Sequence, residues 1–180
     1  SPAASASNVL YSALGDSRID AYVLADLGDD RDRAARAMRM LEAGGRHAAL
    51  RVAAFVREHP DLAPGLRRRL REVQYAILLH GAPGDRASAT AHQIVFGNLD
   101  VRLRTLAALP DSGAGVRAVP ILQDLLSDEN PLVRETACES ILRIAQGSGV
   151  VLLAPLLKSE TDPNVLYAAL RALAETKSPR

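Results

Sequence analysis

One short pattern returns along this chain at intervals of about 30 residues. Setting "LQDLLSDENPLVRETA" from Leu122 over "LAPLLKSETDPNVLYAA" from Leu153 puts Leu125-Leu126 on Leu156-Leu157 at a spacing of 31, and Val133 on Val165 at 32. One extra loop residue accounts for the difference. Upstream, Ile94-Val95 lie 31 before Leu125-Leu126, and "DVRLRTLAA" from Asp100 lies over "NPLVRETAC" from Asn130 at a spacing of 30. The stretch "HAALRVAAF" from His47 has the same form. A period of this length implies supersecondary units that bury their apolar faces against one another, and it restricts the fold more than any bulk property does.

The shared element is a polar turn residue, two variable positions, an aliphatic, Arg, two more residues, then Ala. It occurs as His47-Leu50-Arg51-Ala54, Asp100-Leu103-Arg104-Ala107 and Asn130-Val133-Arg134-Ala137, with a degenerate copy at Asp162-Val165-Leu166-Ala169. An apolar pair ends another helical segment before each copy: Met40-Leu41, Ile94-Val95, Leu125-Leu126 and Leu156-Leu157. Each unit therefore reads as helix, tight polar turn, helix. Apolar spacing, Pro and Gly punctuation and capping residues place helices near 8–14, 17–27, 31–43, 46–58, 62–80, 86–97, 100–109, 115–127, 130–146, 149–158 and 162–176, with no strand pattern. The stretch 60–86 breaks the period. Within it Leu66, Leu70, Val73 and Ile77 form one helical stripe, which predicts an extra helix near 62–80, followed by a loop at "HGAPGD".

On these residues the chain resembles the HEAT-repeat family, in particular the short bacterial form related to phycobilin-lyase repeats. The resemblance is good over 87–176, fair over 31–58 and poor over 8–27 and 60–86. It implies an all-α fold, a right-handed α-solenoid of four to five helix pairs, and for most members protein binding. The predicted organisation is a tail over 1–7 and one domain over 8–180.

The bulk properties agree with closely spaced helices. Aromatic residues make up 3% of the chain and Trp is absent, so Ala, Leu, Val and Ile must fill the core. No stretch approaches the roughly 18 apolar residues of a membrane span. The single Cys138 cannot form an internal disulfide, which leans the compartment toward the cytoplasm. The opening "SPAASASN" has no Met and lacks the charged and apolar regions of an intact signal peptide. His47, His59, His80 and His92 form no His-x-x-x-His pair and join no Cys cluster, so no metal site is predicted. A Gly-rich phosphate loop with its Lys, a Ser elbow and a pair of acids isolated in an apolar run are all missing, so neither a cofactor nor catalysis is expected.

Arg134 asks for an explanation, because it stands beside residues that must be buried. At 100° per residue from Val133, Ala137, Ile141 and Ile144 fall at about 40°, 80° and 20°, which leaves Arg134 at the edge of the stripe. An Arg there lays its methylenes on the core while its guanidinium reaches turn carbonyls or an acid of the next repeat. The family resemblance implies the same, a ladder between repeats made of Arg51, Arg104 and Arg134 with the turn residues Asp100 and Asn130. Cys138 lies just off the stripe, at about 140° on the same wheel, and reads as a small buried hydrophobe.

Two surfaces are candidates for a partner. Arg67, Arg68 and Arg71 cluster in "LRRRLRE" and give residues 46–86 a charge of +4, from eight Arg against four acids, in a chain of net charge +1. They are read as a solvated face or as the contact for an acidic partner, with nucleic-acid binding through this helix as the alternative function. Membership of a larger enzyme as an auxiliary subunit is a further alternative. The low net charge and the lack of interleaved aromatics argue against nucleic acid. The second surface lies opposite the core, where Glu135 falls at about 200° and Glu139 at about 240°. The same step, taken from the repeat alignment, continues it through Val52, Val56, Thr105, Leu109, Tyr167 and Arg171. The part from Thr105 to Arg171 is predicted to hold an extended or helical peptide or a protein partner, with Tyr167 as its anchor; for Val52 and Val56 the alternative is that the extra helix near 62–80 covers them.

Overall fold

The computed structural model describes residues 19–20, 31–80, 86–145 and 148–176. All of its regular structure is helical, and among the described residues there is no strand. The predicted tail over 1–7 and helix near 8–14 lie outside the described residues. Of the predicted helix 17–27 only Ile19 and Asp20 are described, and both are helical. Two compact units emerge: one holds Ser1–Gly81 and Asp85–Phe96, the other Ala82–Gly84 and Gly97–Arg180. The sequence reading places 8–180 in a single domain.

The first unit contains α1 (Arg31–Glu58), α2 (Pro64–Leu79) and α3 (Ala87–Phe96). The two helices predicted at 31–43 and 46–58 are joined across a kink at Gly45, where φ is 54° and ψ is −139°. A side chain on Gly44 would bring its Cβ within 2.8 Å of Ala48 Cβ. The pair Gly44-Gly45 thus combines close approach with a backbone conformation that only glycine adopts cheaply. The predicted extra helix is α2, which begins at Pro64, where a missing N–H costs nothing. Its stripe of Leu70, Val73 and Ile77 is buried, as are Gln74, Tyr75 and Ala76, because α1 and α3 both pack on it. That double coverage explains why the second half of α2 is apolar nearly all round.

The second unit contains α4 (Leu99–Ala108), α5 (Val119–Leu125), α6 (Pro131–Ala145), α7 (Gly149–Ser159) and α8 (Pro163–Thr176). Two 3-10 segments, Leu109–Asp111 and Gly115–Ala118, join α4 to α5. The helices α4, α6 and α8 lie in one layer, with α6 packed against both others, while α5 packs on α6 and α7 on α6 and α8. Leu106, Leu109, Ile121, Leu122, Val133, Ala137, Ile141, Leu153 and Val165 form the core.

The starts of α4, α6 and α8 share one design. Asn98 Oδ1 accepts from Val101 N at 3.0 Å, Asn130 Oδ1 from Leu132 N at 3.0 Å, and Asp162 Oδ1 from Asn164 N at 2.9 Å. These side chains satisfy amides that a helix start otherwise leaves unpaired. The three capping residues are evenly spaced, each 32 positions after the last, the same separation that divides Glu139 of α6 from Arg171 of α8. One repeat length therefore holds throughout this region.

Candidate partner face and the ladder behind it

The capping register fixes which arginines tie repeats together. Arg134 donates from Nε to Glu160 Oε2 at 2.7 Å and from Nη2 to Glu160 Oε1 at 2.9 Å. Its Nη1 reaches the carbonyls of Asp128 and Glu129 at 2.8 and 3.2 Å. One guanidinium therefore closes its own turn and grips the turn of the next helix pair. Glu160 Oε1 in turn accepts from the amides of Thr161 and Asp162, both at 2.9 Å. The Arg134 fork, helped by these amides and opposed by burial, holds the Glu160 carboxyl well below its ordinary value, at about 2. The same fork raises the Arg134 guanidinium.

The preceding rung is Arg102, not the predicted Arg104. Arg102 Nη2 donates to Asp128 Oδ2 at 2.5 Å, and Asp128 Oδ1 accepts from Asn130 N at 3.0 Å. Arg102–Asp128 and Arg134–Glu160 are both separated by 26 residues, and each member stands one repeat from its counterpart. Arg104 instead pairs, among the described residues, with Asp100, i to i+4, with side chains 72% and 75% exposed. Both lie on the outside of α4 and bridge no repeat. The alignment of Asp100 on Asn130 chose the second of two arginines two positions apart; the spacing of Asn98, Asn130 and Asp162 identifies the first. Asn130 does belong to the arrangement, as the cap of α6.

In the first unit, Arg51 forks onto Asp20 with Nε–Oδ1 and Nη2–Oδ2 distances of 2.7 Å, and reaches Glu58 at 3.0 Å. It reaches back along the chain by 31 residues, where Arg102 and Arg134 reach forward. Of the basic run, Arg67 is half-buried and donates from Nη2 to Pro60 O at 2.5 Å, so it closes the turn between α1 and α2. Arg68 is exposed and Arg71 half-buried.

The inner track is corrected by the same two-residue slip. Leu109 is buried in its 3-10 segment, and Thr105 is half-buried with its hydroxyl donating to Val101 O at 2.8 Å. Neither is a free contact residue. In the first unit Val52 is buried and Val56 half-buried. In the register of the caps, the positions matching Glu135 and Glu139 are Leu103 and Ala107 on α4, and Tyr167 and Arg171 on α8. Leu103 and Glu135 are half-buried, Ala107 is exposed, and Tyr167 is 67% exposed. Arg171 Nη2 donates to Glu139 Oε1 at 2.5 Å, which joins equivalent positions on adjacent helices. On α6, Ser140 Oγ and Arg143 Nη1 donate to Leu106 O and Ala107 O, both at 3.0 Å, and so cap the end of α4.

Cys138 lies behind this face, fully buried, and burial pushes its thiol up to about 12, with Glu139, Glu135 and Glu160 adding to the shift. A nucleophilic role has no support there. No group of His, Cys, Asp or Glu among the described residues is arranged to hold a metal ion. No helix among them is long and apolar enough to cross a membrane.

Comparison with known proteins adds one match. The family model described as HEAT repeats matches residues 97–174, the span of α4 to α8. No curated protein and no solved structure gave a match.

Proposed function

Residues 97–174 belong to the HEAT-repeat family, and from that premise we propose that the chain is a noncatalytic protein-binding module whose α4–α6–α8 face receives a peptide or protein partner. The observation that carries this reading is Tyr167, an aromatic ring 67% exposed on the α4–α6–α8 face. Large aromatics on a rigid helical layer supply contact area at small entropic cost, which is why they recur as anchors at interfaces. Leu132, also exposed, and half-buried Leu103 extend the apolar part of the same face.

Binding by this face predicts that Tyr167→Ala weakens partner association by at least about 1 kcal/mol without lowering the melting temperature. Proteins retained from a native extract by the wild-type chain should be lost with Tyr167→Ala and kept with Val116→Ala, an exposed apolar residue of a 3-10 segment. Equal retention by all three chains would overturn the assignment. For the basic run, reversal of Arg68 and Arg71 to Glu separates a solvated face from a contact with an acidic partner, and Arg67 is spared because it closes a turn.

A further inference from the structure

The partner face has an acid at its centre, and its surroundings point to the chemistry of what it holds. Glu135 stands one helical turn before Glu139 on α6, and Tyr167 one turn before Arg171 on α8. The packing of α6 on α8 sets their register, which the Glu139–Arg171 bond marks, so Glu135 and Tyr167 stand one turn lower on the same face. On the other side α4 brings Leu103 to the same level by the repeat register, and Leu132 stands on α6 itself, three residues before Glu135. By register, then, Glu135 shares its level of the face with Leu103, Leu132 and Tyr167.

The nearby cations are already engaged. Arg171 is held by Glu139, Arg104 by Asp100 and Arg134 by Glu160. Glu135 itself makes no ion pair among the described residues. Of the carboxylates on this face, Asp100 and Glu139 are therefore neutralised locally and Glu135 is left uncompensated. We propose that Glu135 and Tyr167 together receive a Lys or Arg side chain of the bound peptide, its charged end on the Glu135 carboxylate and its stem along Leu103, Leu132 and the Tyr167 ring. The fit follows from the amphipathic shape of such a side chain: an apolar stem asks for aliphatic neighbours, and its cation gains from both a carboxylate and an aromatic face. An acidic peptide would bring like charge to Glu135 and lose on the same site.

This inference rests on the reading of α4, α6 and α8 as the partner face, and one experiment separates the two. The isotope-labelled chain is titrated with the pentapeptide acetyl-Leu-Ala-Arg-Ala-Leu-amide and with its counterpart carrying neutral citrulline in place of Arg, and amide shifts are followed by NMR. The Arg peptide should bind about tenfold more tightly than the citrulline peptide, the gain expected of one charge-assisted contact. In Glu135→Gln that ratio should fall to within about twofold, with citrulline-peptide binding unchanged. If both peptides shift residues 99–107, 131–139 and 163–171 equally, or if the ratio survives Glu135→Gln, the basic side-chain site is wrong while the partner face stands. If neither peptide shifts those residues, the partner face falls too.

Discussion

At the scale of single residues, the energetics of the second unit depend on which arginine reaches its neighbour. Arg134 forms a two-pronged, charge-assisted pair with a carboxylate whose side chain is nearly enclosed, and it also occupies two turn carbonyls. Removing it leaves Glu160 unpaired against the protein, so Arg134→Ala should cost roughly 1 to 3 kcal/mol, and Arg102→Ala should cost a similar amount. Arg104→Ala, which breaks only a solvent-exposed i to i+4 pair, should stay within about 0.5 kcal/mol of wild type. Urea unfolding of the three variants tests the ladder; equal midpoints for Arg102→Ala and Arg104→Ala would contradict the register. Glu160 gives a second test, because its folded carboxyl is held at about 2, below the ordinary carboxylate range. A group with a depressed folded pKa contributes stability that is fully present above its unfolded value of ~4.3 and is lost as pH falls through the folded value. The wild-type chain should therefore lose more stability than Glu160→Gln between about pH 5 and pH 2, and parallel pH profiles would show that the fork contributes nothing.

Among the elements, the kink in α1 and the caps of α4, α6 and α8 show how little sequence is needed to start or interrupt a helix. Gly45 joins two helical segments through a positive φ with a strongly negative ψ, a combination costly for any residue with a Cβ. Gly45→Ala should destabilise the first unit by about 1 to 3 kcal/mol. Gly65→Ala is the matched control: it lies in the first turn of α2, has ordinary φ, and a Cβ there meets open space. Thermal melting should separate the two, and a Gly45→Ala chain that melts with wild type would mean that the kink straightens without penalty. Helix limits were legible in advance because they rest on local chemistry. Pro131 and Pro163 mark turns, and Asn130 and Asp162 are legible as the polar residues before their helices, whereas the cap of α4 is Asn98 and not the expected Asp100.

For the whole molecule, over the described residues, the sequence determined that the fold is helical, that the later helices come in pairs recurring about every 31 residues, and where most of them lie, although the helix expected over 115–127 is a 3-10 segment followed by a short helix over 119–125. It also determined that Cys138 is core and that Arg134 sits at a core edge. Those properties follow from periodicity and turn chemistry, which act within a few residues. What only tertiary structure decided was which faces meet. Arg102 and Arg104 both fit a pattern of aliphatic followed by Arg, but two positions along a helix rotate a side chain by about 200°, so one points into the next repeat and the other into solvent. The same slip sent Thr105 and Leu109 inward and put Leu103 and Ala107 on the face proposed for a partner. Arg67 was drawn from a basic run into a turn, because a carbonyl at Pro60 happened to lie within its reach. Leu170 stays 57% exposed although its counterparts Leu106 and Cys138 are fully buried, since on α4 and α6 those positions are covered by neighbouring elements and on α8 no described element covers this one. Periodicity fixes the angles between side chains on one helix; the absolute direction of that helix is set by the neighbours it packs against.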